Sequence, residues 1–566
     1  MWRFIAELLS YLSFVIVVSL ISFLSRNSQE YLQARHLNDL FLNQPRASYN
    51  FTAISTVAQF WTWLEGSFIE TIEPEQWYNG RSDNASIGFL SDRTNRLIGW
   101  ATMRQLRVKA DTCRIKTSMQ TFIRHCYDEY GLSIEEKRSF QPGWTMNATK
   151  NYSLSIAQAF LYQTSAQLDT YPYIGELQTY GSGGYVYEFR GSLSKLRNEL
   201  NQLHQLQWID SPTRAVLIQL NLFNPNIAIF TSVAILIEIL SSSGIYPSAR
   251  FEPLDLYVFN SAFHITCAAI YFVFIICFMI MEVRSIIRLK KLYFRQAWSY
   301  IELGIIFCSW AAVGIHIWRT KEASRIGSLF RETSGGTYLN FQLLAYINDI
   351  FSFLLGFCCF FGMLRLLRLC RYNERLNLLS NTLKRASQEL ISFSMMFSVI
   401  FMAFLTLYYL QFTAYIWECS TLLHTAQMLF EMLLLKFDAT GIKNAAPVLG
   451  PLYFALFILF VVFVCINMFV SIINDNFRSV QADVYKTHSD YMGVFSSLRK
   501  KIRHLCGLPA TNVVSVDEQP KIVTVSETAD PLKRLSSRLD RLSTLLNRRY
   551  GSIEDRSKWK RTIYIS

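Results

Sequence analysis

The chain has 566 residues, is 51% hydrophobic and 15% aromatic, and carries a formal charge of +13. Such apolarity, with 43 Phe and 29 Tyr, excludes an ordinary soluble protein. The Lys and Arg residues gather beside apolar runs, not on a basic face with a nucleic-acid motif, so they point to a membrane surface and away from nucleic acid.

In chain order, the first apolar run is Phe4 to Leu24, broken only by Glu7. Its length, and the lack of a clear A-x-A site after it, favour a membrane span over a signal peptide. Residues 27–258 then suffice for one large domain with its own core. All four asparagine sequons of the chain, Asn50, Asn84, Asn147 and Asn151, fall in this stretch. Sequons act only on the lumenal side, which makes the domain extracytosolic. Of eleven cysteines only Cys113 and Cys126 lie in it. In an oxidising compartment they are a disulfide candidate, and closing that loop would contribute about 3 kcal/mol. Two unpaired buried thiols are the alternative.

Within the domain, Tyr185-Val-Tyr-Glu-Phe189 alternates as a strand after the turn signal Gly181-Ser-Gly-Gly184. Leu193, Leu196, Leu200 and Leu203 repeat at helical spacing, and Ala215 to Phe223 again fits a strand. The apolar run from Ile227 to Leu240 is short, holds Glu238 and ends in Ser-Ser-Ser-Gly, so it reads as a buried strand, not a span. The domain is therefore α+β. His125 and His204 lack partners at metal-ligand spacing and are taken as structural groups.

Five further runs are near the ~20 residues needed to cross a bilayer: Phe259–Met281, Tyr300–Trp318, Ile350–Leu369, Ile391–Trp417 and Pro451–Ile473. Arg284, Arg288, Lys290, Lys291 and Arg295 come after the second span. Arg371, Arg375, Lys384 and Arg385 come after the fourth, and Lys486, Arg499, Lys500, Lys501 and Arg503 after the sixth. All three groups belong in the cytosol by the positive-inside rule, which again leaves the sequon domain outside. Arg365, Arg368 and Arg371 are spaced by three at the end of the fourth run. That spacing suits a voltage-sensing helix, but their place near the cytosolic end favours snorkelling to headgroups.

After the sixth span, residues 508–530 read as a polar linker. Leu532, Leu535, Leu539, Leu542 and Leu546 then form a short a/d seam, either a coiled coil or an amphipathic helix on the inner leaflet. The spans hold no paired carboxylates, histidines or nucleophile–base motif, so an enzyme is not expected. No EF-hand loop pattern occurs.

Several segments resemble the polycystin family. In the domain these are Gly99-Trp-Ala-Thr-Met-Arg-Gln-Leu-Arg-Val-Lys-Ala-Asp-Thr-Cys113, Tyr180-Gly-Ser-Gly-Gly-Tyr185, Trp208-Ile-Asp210, Thr213-Arg-Ala-Val216 and Asn224-Pro-Asn226. Downstream, Val448-Leu-Gly-Pro-Leu-Tyr-Phe454 and Asn467-Met-Phe-Val-Ser-Ile-Ile-Asn-Asp475 resemble that family's outer pore and sixth span. The resemblance implies an α-helical membrane protein of the transient-receptor-potential type. Four spans would form a voltage-sensor-like bundle and two a pore module, with a large α+β extracytosolic domain between the first and second spans. The implied divisions are 1–26 first helix, 27–258 extracytosolic domain, 259–390 rest of the bundle and linker, 391–480 pore module, 481–530 cytosolic linker, 531–550 coiled coil and 551–566 tail.

Between the fifth and sixth spans, Thr421 to Leu435 is amphipathic, with apolar Leu422, Leu423, Met428, Leu429, Met432 and Leu433. A half-helix leading into exposed carbonyls is how filters are built. The filter stretch is then Leu434, Leu435, Lys436, Phe437 and Asp438, where channel-forming polycystins resemble "L-G-D". The glycine is missing and a lysine stands in the path, a departure similar to that of the family's large receptor-like branch. Val470 and Asn474, four apart on one helical face, match the family's lower gate. The implied permeant ions are calcium, sodium and potassium, with no other cofactor. The implied partners are other polycystin-type subunits, in a hetero- or homotetramer, and membrane lipids. The implied location is a plasma, ciliary or endoplasmic-reticulum membrane. Two functions are implied: a subunit of a cation channel, or a non-conducting receptor or scaffold that regulates a partner channel.

Overall fold

A computed structural model of the chain describes residues 2–43, 49–73, 88–113, 115–123, 125–146, 152–242, 244–255, 262–333, 338–367, 374–434, 436 and 439–486. Residues Met1–Phe477 form one compact unit. Residues 478–566 form another, described only as the end of a helix to Lys486.

Among the described residues, the extracytosolic domain has eight strands. They are β1 (Arg96–Arg107), β2 (Tyr162–Gln163), β3 (Tyr173–Ile174), β4 (Thr179–Tyr180), β5 (Gly184–Phe189), β6 (Thr213–Asn224), β7 (Ile229–Ile239) and β8 (Ile245–Leu254). Six of them pair antiparallel in the order β2-β5-β1-β6-β7-β8, while β3 and β4 form a separate hairpin. Strand β6 is buried along nearly its whole length because both its faces are covered. Val216, Ile218, Leu220 and Leu222 face a helical layer that includes Leu196, Leu200 and Leu203 of the helix Leu193–Gln205. The alternate residues Ala215 and Leu217 pack with Leu106, Tyr130, Tyr180 and Leu236.

Glu238, which interrupts the apolar run of β7, is 1% exposed. Its carboxylate accepts from the backbone N–H groups of Glu176, Leu177 and Gln178 and from the Tyr180 hydroxyl at 2.9 Å. Those donors lie on the β3–β4 hairpin, so a buried charge is held by four hydrogen bonds and pins that hairpin to the sheet. The run is a strand, as its short length and polar break imply. The glycines before β5 are also required. Gly184 has φ +147°, and a Cβ there would lie 2.7 Å from the Gln105 carbonyl oxygen of the neighbouring strand. A disulfide joins Cys113 to Cys126.

Among the described residues, six helices are long and apolar enough to cross a membrane. The first is Trp2–Leu24, the second Ala262–Leu289, the third Ala297–Glu332, the fourth Gln342–Leu367 and the fifth Glu374–Phe412. The sixth runs from Leu449 to Lys486 and changes to π-helical hydrogen bonding over Ile458–Ile466. The chain is thus a multi-pass α-helical membrane protein with an α+β domain between its first two spans. The third helix runs fourteen residues past the apolar limit at Trp318, so the residues from Arg319 to Glu332 form a polar helical extension.

The first four helices share one core. Phe14 and Val18 of the first meet Tyr271, Ile275 and Phe278 of the second, Ile305 and Cys308 of the third, and Leu355 and Cys358 of the fourth. The Phe14 and Phe278 ring centroids are 4.9 Å apart. The domain is seated on the outer end of this bundle. Leu254 of β8 packs with Ile326, Leu339, Phe341 and Leu344, Gln219 bonds Gln342 at 3.1 Å, and Arg325 pairs with Asp169 at 3.0 Å.

At this seam Glu252 of β8 is partly buried and faces Asp349 of the fourth helix. Burial first, and the neighbouring carboxylate second, push its pKa up to about 7, against a smaller opposing pull from Arg250. The folded protein therefore holds a proton there that the unfolded chain has released between the ordinary carboxylate range and pH 7. Stability falls as pH rises through that window and is lower at pH 8 than at pH 5. Thermal unfolding of the purified protein should show this slope, and Glu252→Gln should flatten it; an unchanged slope in the variant would assign it to other groups.

Candidate pore segment and gate

The fifth helix ends at Phe412, and the 3-10 turn Trp417–Cys419 leads to the N-cap residue Thr421. The Thr421 hydroxyl accepts the backbone N–H of His424 at 3.2 Å and starts the helix Leu422–Leu433. Thr425, Met428, Leu429 and Met432 are its buried residues, one stripe at i, i+3, i+4 and i+7. Met428, Leu429 and Met432 pack with Phe401, Leu405, Tyr408, Phe412, Phe457 and Val461 of the fifth and sixth helices. Leu422 and Leu423, apolar in sequence, are 53% and 78% exposed on this single chain.

The helix also sets the course of the chain beyond its last turn. The Leu434 N–H donates to the Phe430 carbonyl at 3.1 Å and the Lys436 N–H to the Glu431 carbonyl at 2.8 Å. Lys436 is exposed. A helix C-terminus carries a partial negative charge from its free carbonyls, which in a filter attracts cations. Here the chain places its own ammonium group directly after that end. Leu434 is 66% exposed. Leu435, Phe437 and Asp438 lie outside the described residues.

The helix Ala439–Ala445 packs against the start of the sixth span. A Cβ at Gly450 would stand 2.5 Å from the Ile442 carbonyl oxygen, so this crossing requires glycine. The extracytosolic domain reaches the same region: the rings of Tyr246 in β8 and Trp417 stack at 5.2 Å. Lower on the sixth helix, Val470 is 56% exposed and Asn474 is exposed. Both stand on one free face of the isolated chain, four residues apart.

Arg365 is not at the headgroup surface. Its side chain is 7% exposed inside the bundle and lies 3.4 Å from Glu302 of the third helix. It donates to the Tyr11 hydroxyl at 2.8 Å, and its guanidinium sits 4.0 Å from the Tyr11 ring centroid and 4.6 Å from that of Phe278. The snorkelling expectation fails for this residue because a carboxylate and two aromatic faces await it in the core. In the sequence Glu302 is marked only as a lone acid within an apolar run, with nothing to point to its partner. Arg368 and Arg371 lie outside the described residues, as do the tail leucines Leu532, Leu535, Leu539, Leu542 and Leu546 and the sequons Asn84, Asn147 and Asn151. Asn50 is exposed. His125 and His204 meet Asp111 at 3.5 Å and Glu65 at 3.1 Å, and His204 stacks on Trp61.

The family model described as polycystin cation channel matches residues 258–480, and that described as polycystin domain matches residues 50–257. Polycystin-2-like protein 1 of Homo sapiens is 31% identical over 84% of the chain, and Polycystin-2 of Danio rerio 30% identical over 86%. The chain spans 58% and 53% of the length of these two relatives. Polycystin-2-like protein 2 of Homo sapiens is 29% identical over 84% of the chain and 75% of its own length.

Proposed function

The chain belongs to the polycystin family, and from that premise we propose that it is one subunit of a tetrameric, calcium-permeable, non-selective cation channel. Its partners in that tetramer are channel-forming polycystin-2-type subunits. It admits calcium, sodium and potassium, catalyses no reaction, and works in a plasma, ciliary or endoplasmic-reticulum membrane. Leu434, Leu435, Lys436, Phe437 and Asp438 form its share of the filter, and Val470 and Asn474 its share of the lower gate.

The observation that carries this reading is Lys436, exposed just beyond the C-terminal end of the helix Leu422–Leu433. Four ammonium groups at one constriction repel cations. At an effective dielectric constant of about 20, two charges 4 Å apart interact by roughly 4 kcal/mol, enough to close a site to cations when repeated around a ring. One such group among three permissive filters leaves a route open. The exposed Leu422 and Leu423 on the outside of the same helix suit burial by neighbouring subunits.

The second reading, a non-conducting receptor or scaffold subunit, is favoured by the same lysine and by the missing filter glycine. Expression of the chain alone and with a polycystin-2-type partner separates the possibilities. The heteromer predicts little divalent current from the chain alone and a mixed channel of altered selectivity with the partner. Robust divalent current from the chain alone contradicts it. A co-purifying complex whose current ignores every change at Lys436 favours the scaffold.

A further inference from the structure

We infer that Glu389 and Asn476 form a latch that ties the lower sixth helix to the linker helix entering the fifth span, and so sets how freely the gate opens. Asn476 is 7% exposed. Its side-chain amide donates to the Glu389 carboxylate at 2.7 Å and to the Ile472 carbonyl of its own helix at 3.0 Å. Both amide protons are thereby used, one within the helix and one across to the neighbour. One turn along the linker helix from Glu389 and two turns along the sixth helix from Asn476, the rings of Phe393 and Phe469 lie 6.1 Å apart. The contact thus has an apolar and a polar element on the same two faces.

The face matters. At about 100° per residue, Asn476 and Phe469 lie within ~20° of each other around the sixth helix, while Val470 and Asn474 lie roughly 120° and 160° from Asn476. The side that touches the linker is therefore turned away from the side assigned to the gate. If Val470 and Asn474 face the conduction axis, the linker braces the helix from behind. Widening the gate then requires the sixth helix to carry the linker with it or to break the Glu389–Asn476 bond. On the linker side, Thr382 and Ala386 are buried while Glu389 is exposed. A charge-assisted bond at such an edge holds without the full cost of burying the carboxylate.

The inference rests on the gate reading given above, and its test keeps the two apart. The readout is unstimulated current per surface channel in complexes with a polycystin-2-type partner. Asn476→Asp sets two carboxylates against each other and should raise that current about tenfold. Glu389→Gln retains an acceptor and should stay near the native value. The double exchange Glu389→Gln/Asn476→Asp restores an amide–carboxylate bond in reverse and should return the current to within about twofold of native. No change with Asn476→Asp, or no restoration by the exchange, overturns the latch. Should Asn476→Asp fail to reach the surface, Glu389→Ala and Asn476→Ala decide: a latch predicts one shared effect in the double variant, and two effects that multiply overturn it. Val470→Ser tests the gate separately. It should raise unstimulated current by wetting the constriction, and its failure would sink the gate assignment while leaving the exchange result to stand or fall alone.

Discussion

Replacing Lys436 by glycine should raise the inward cation current of partner-containing complexes on the order of tenfold, and aspartate should raise the divalent share further. Removing a fixed positive charge from the narrowest part of a pore changes the barrier by about 1.4 kcal/mol for each tenfold in rate. The ammonium group is not masked by burial, since Lys436 is exposed after the C-terminal turn of the helix Leu422–Leu433. The same substitution returns the helix's own carbonyl end to its role of attracting cations. Lys443, on the helix Ala439–Ala445, supplies the control. Its neutralisation should change conductance much less, because it lies outside the filter stretch. Recordings at matched surface expression decide this, and equal currents for Lys436 and its glycine variant would place the lysine off the ion path.

The second large effect is expected in the bundle. Arg365 and Glu302 form a pair with side chains 7% and 11% exposed. Arg365→Leu leaves the buried carboxylate without this cation, and breaking such a pair costs roughly 3–5 kcal/mol. The variant should fall sharply in thermal stability and in surface yield. The double variant Glu302→Leu/Arg365→Met removes both charges and should recover most of the loss, because an apolar pair of similar volume can replace a buried ion pair at little net cost. A double variant as unstable as the single would mean that the pair is not the source. The magnitudes also bear on voltage sensing. One charge crossing the full field is worth ~2.3 kcal/mol per 100 mV. That is less than the cost of separating Arg365 from Glu302, so this arginine should contribute little to voltage dependence.

The fold was largely legible because its signals are periodic and local. The leucines at 193, 196, 200 and 203 line one buried face of a helix, and the alternation of Tyr185 to Phe189 and of Ala215 to Phe223 became parts of the same sheet. Glu238 correctly separated a strand from a span, although nothing in the sequence indicated the three backbone amides and the tyrosine that hold it. Charge partners were the part that could not be read. Arg365 and Glu302 are 63 residues apart, and Glu389 and Asn476 are 87 apart. Their meeting depends on helix packing, which hydropathy does not encode. Snorkelling was the wrong expectation for Arg365 for that reason: position along a helix was visible, but the carboxylate across from it was not. The candidate site divides the same way. The helix Leu422–Leu433 could be read from its amphipathic stripe, whereas the meaning of Lys436 depends on neighbouring subunits.

The most direct measurement is the accessibility of position 436 in the assembled complex. With Lys436→Cys in the chain and an otherwise unreactive background, a small charged thiol reagent applied from the extracytosolic side should modify the cysteine and change the single-channel current, with positive reagents reducing it and negative reagents increasing it. Modification only from the cytosolic side, or complete labelling with no change in current, would contradict the placement of this subunit on the ion path.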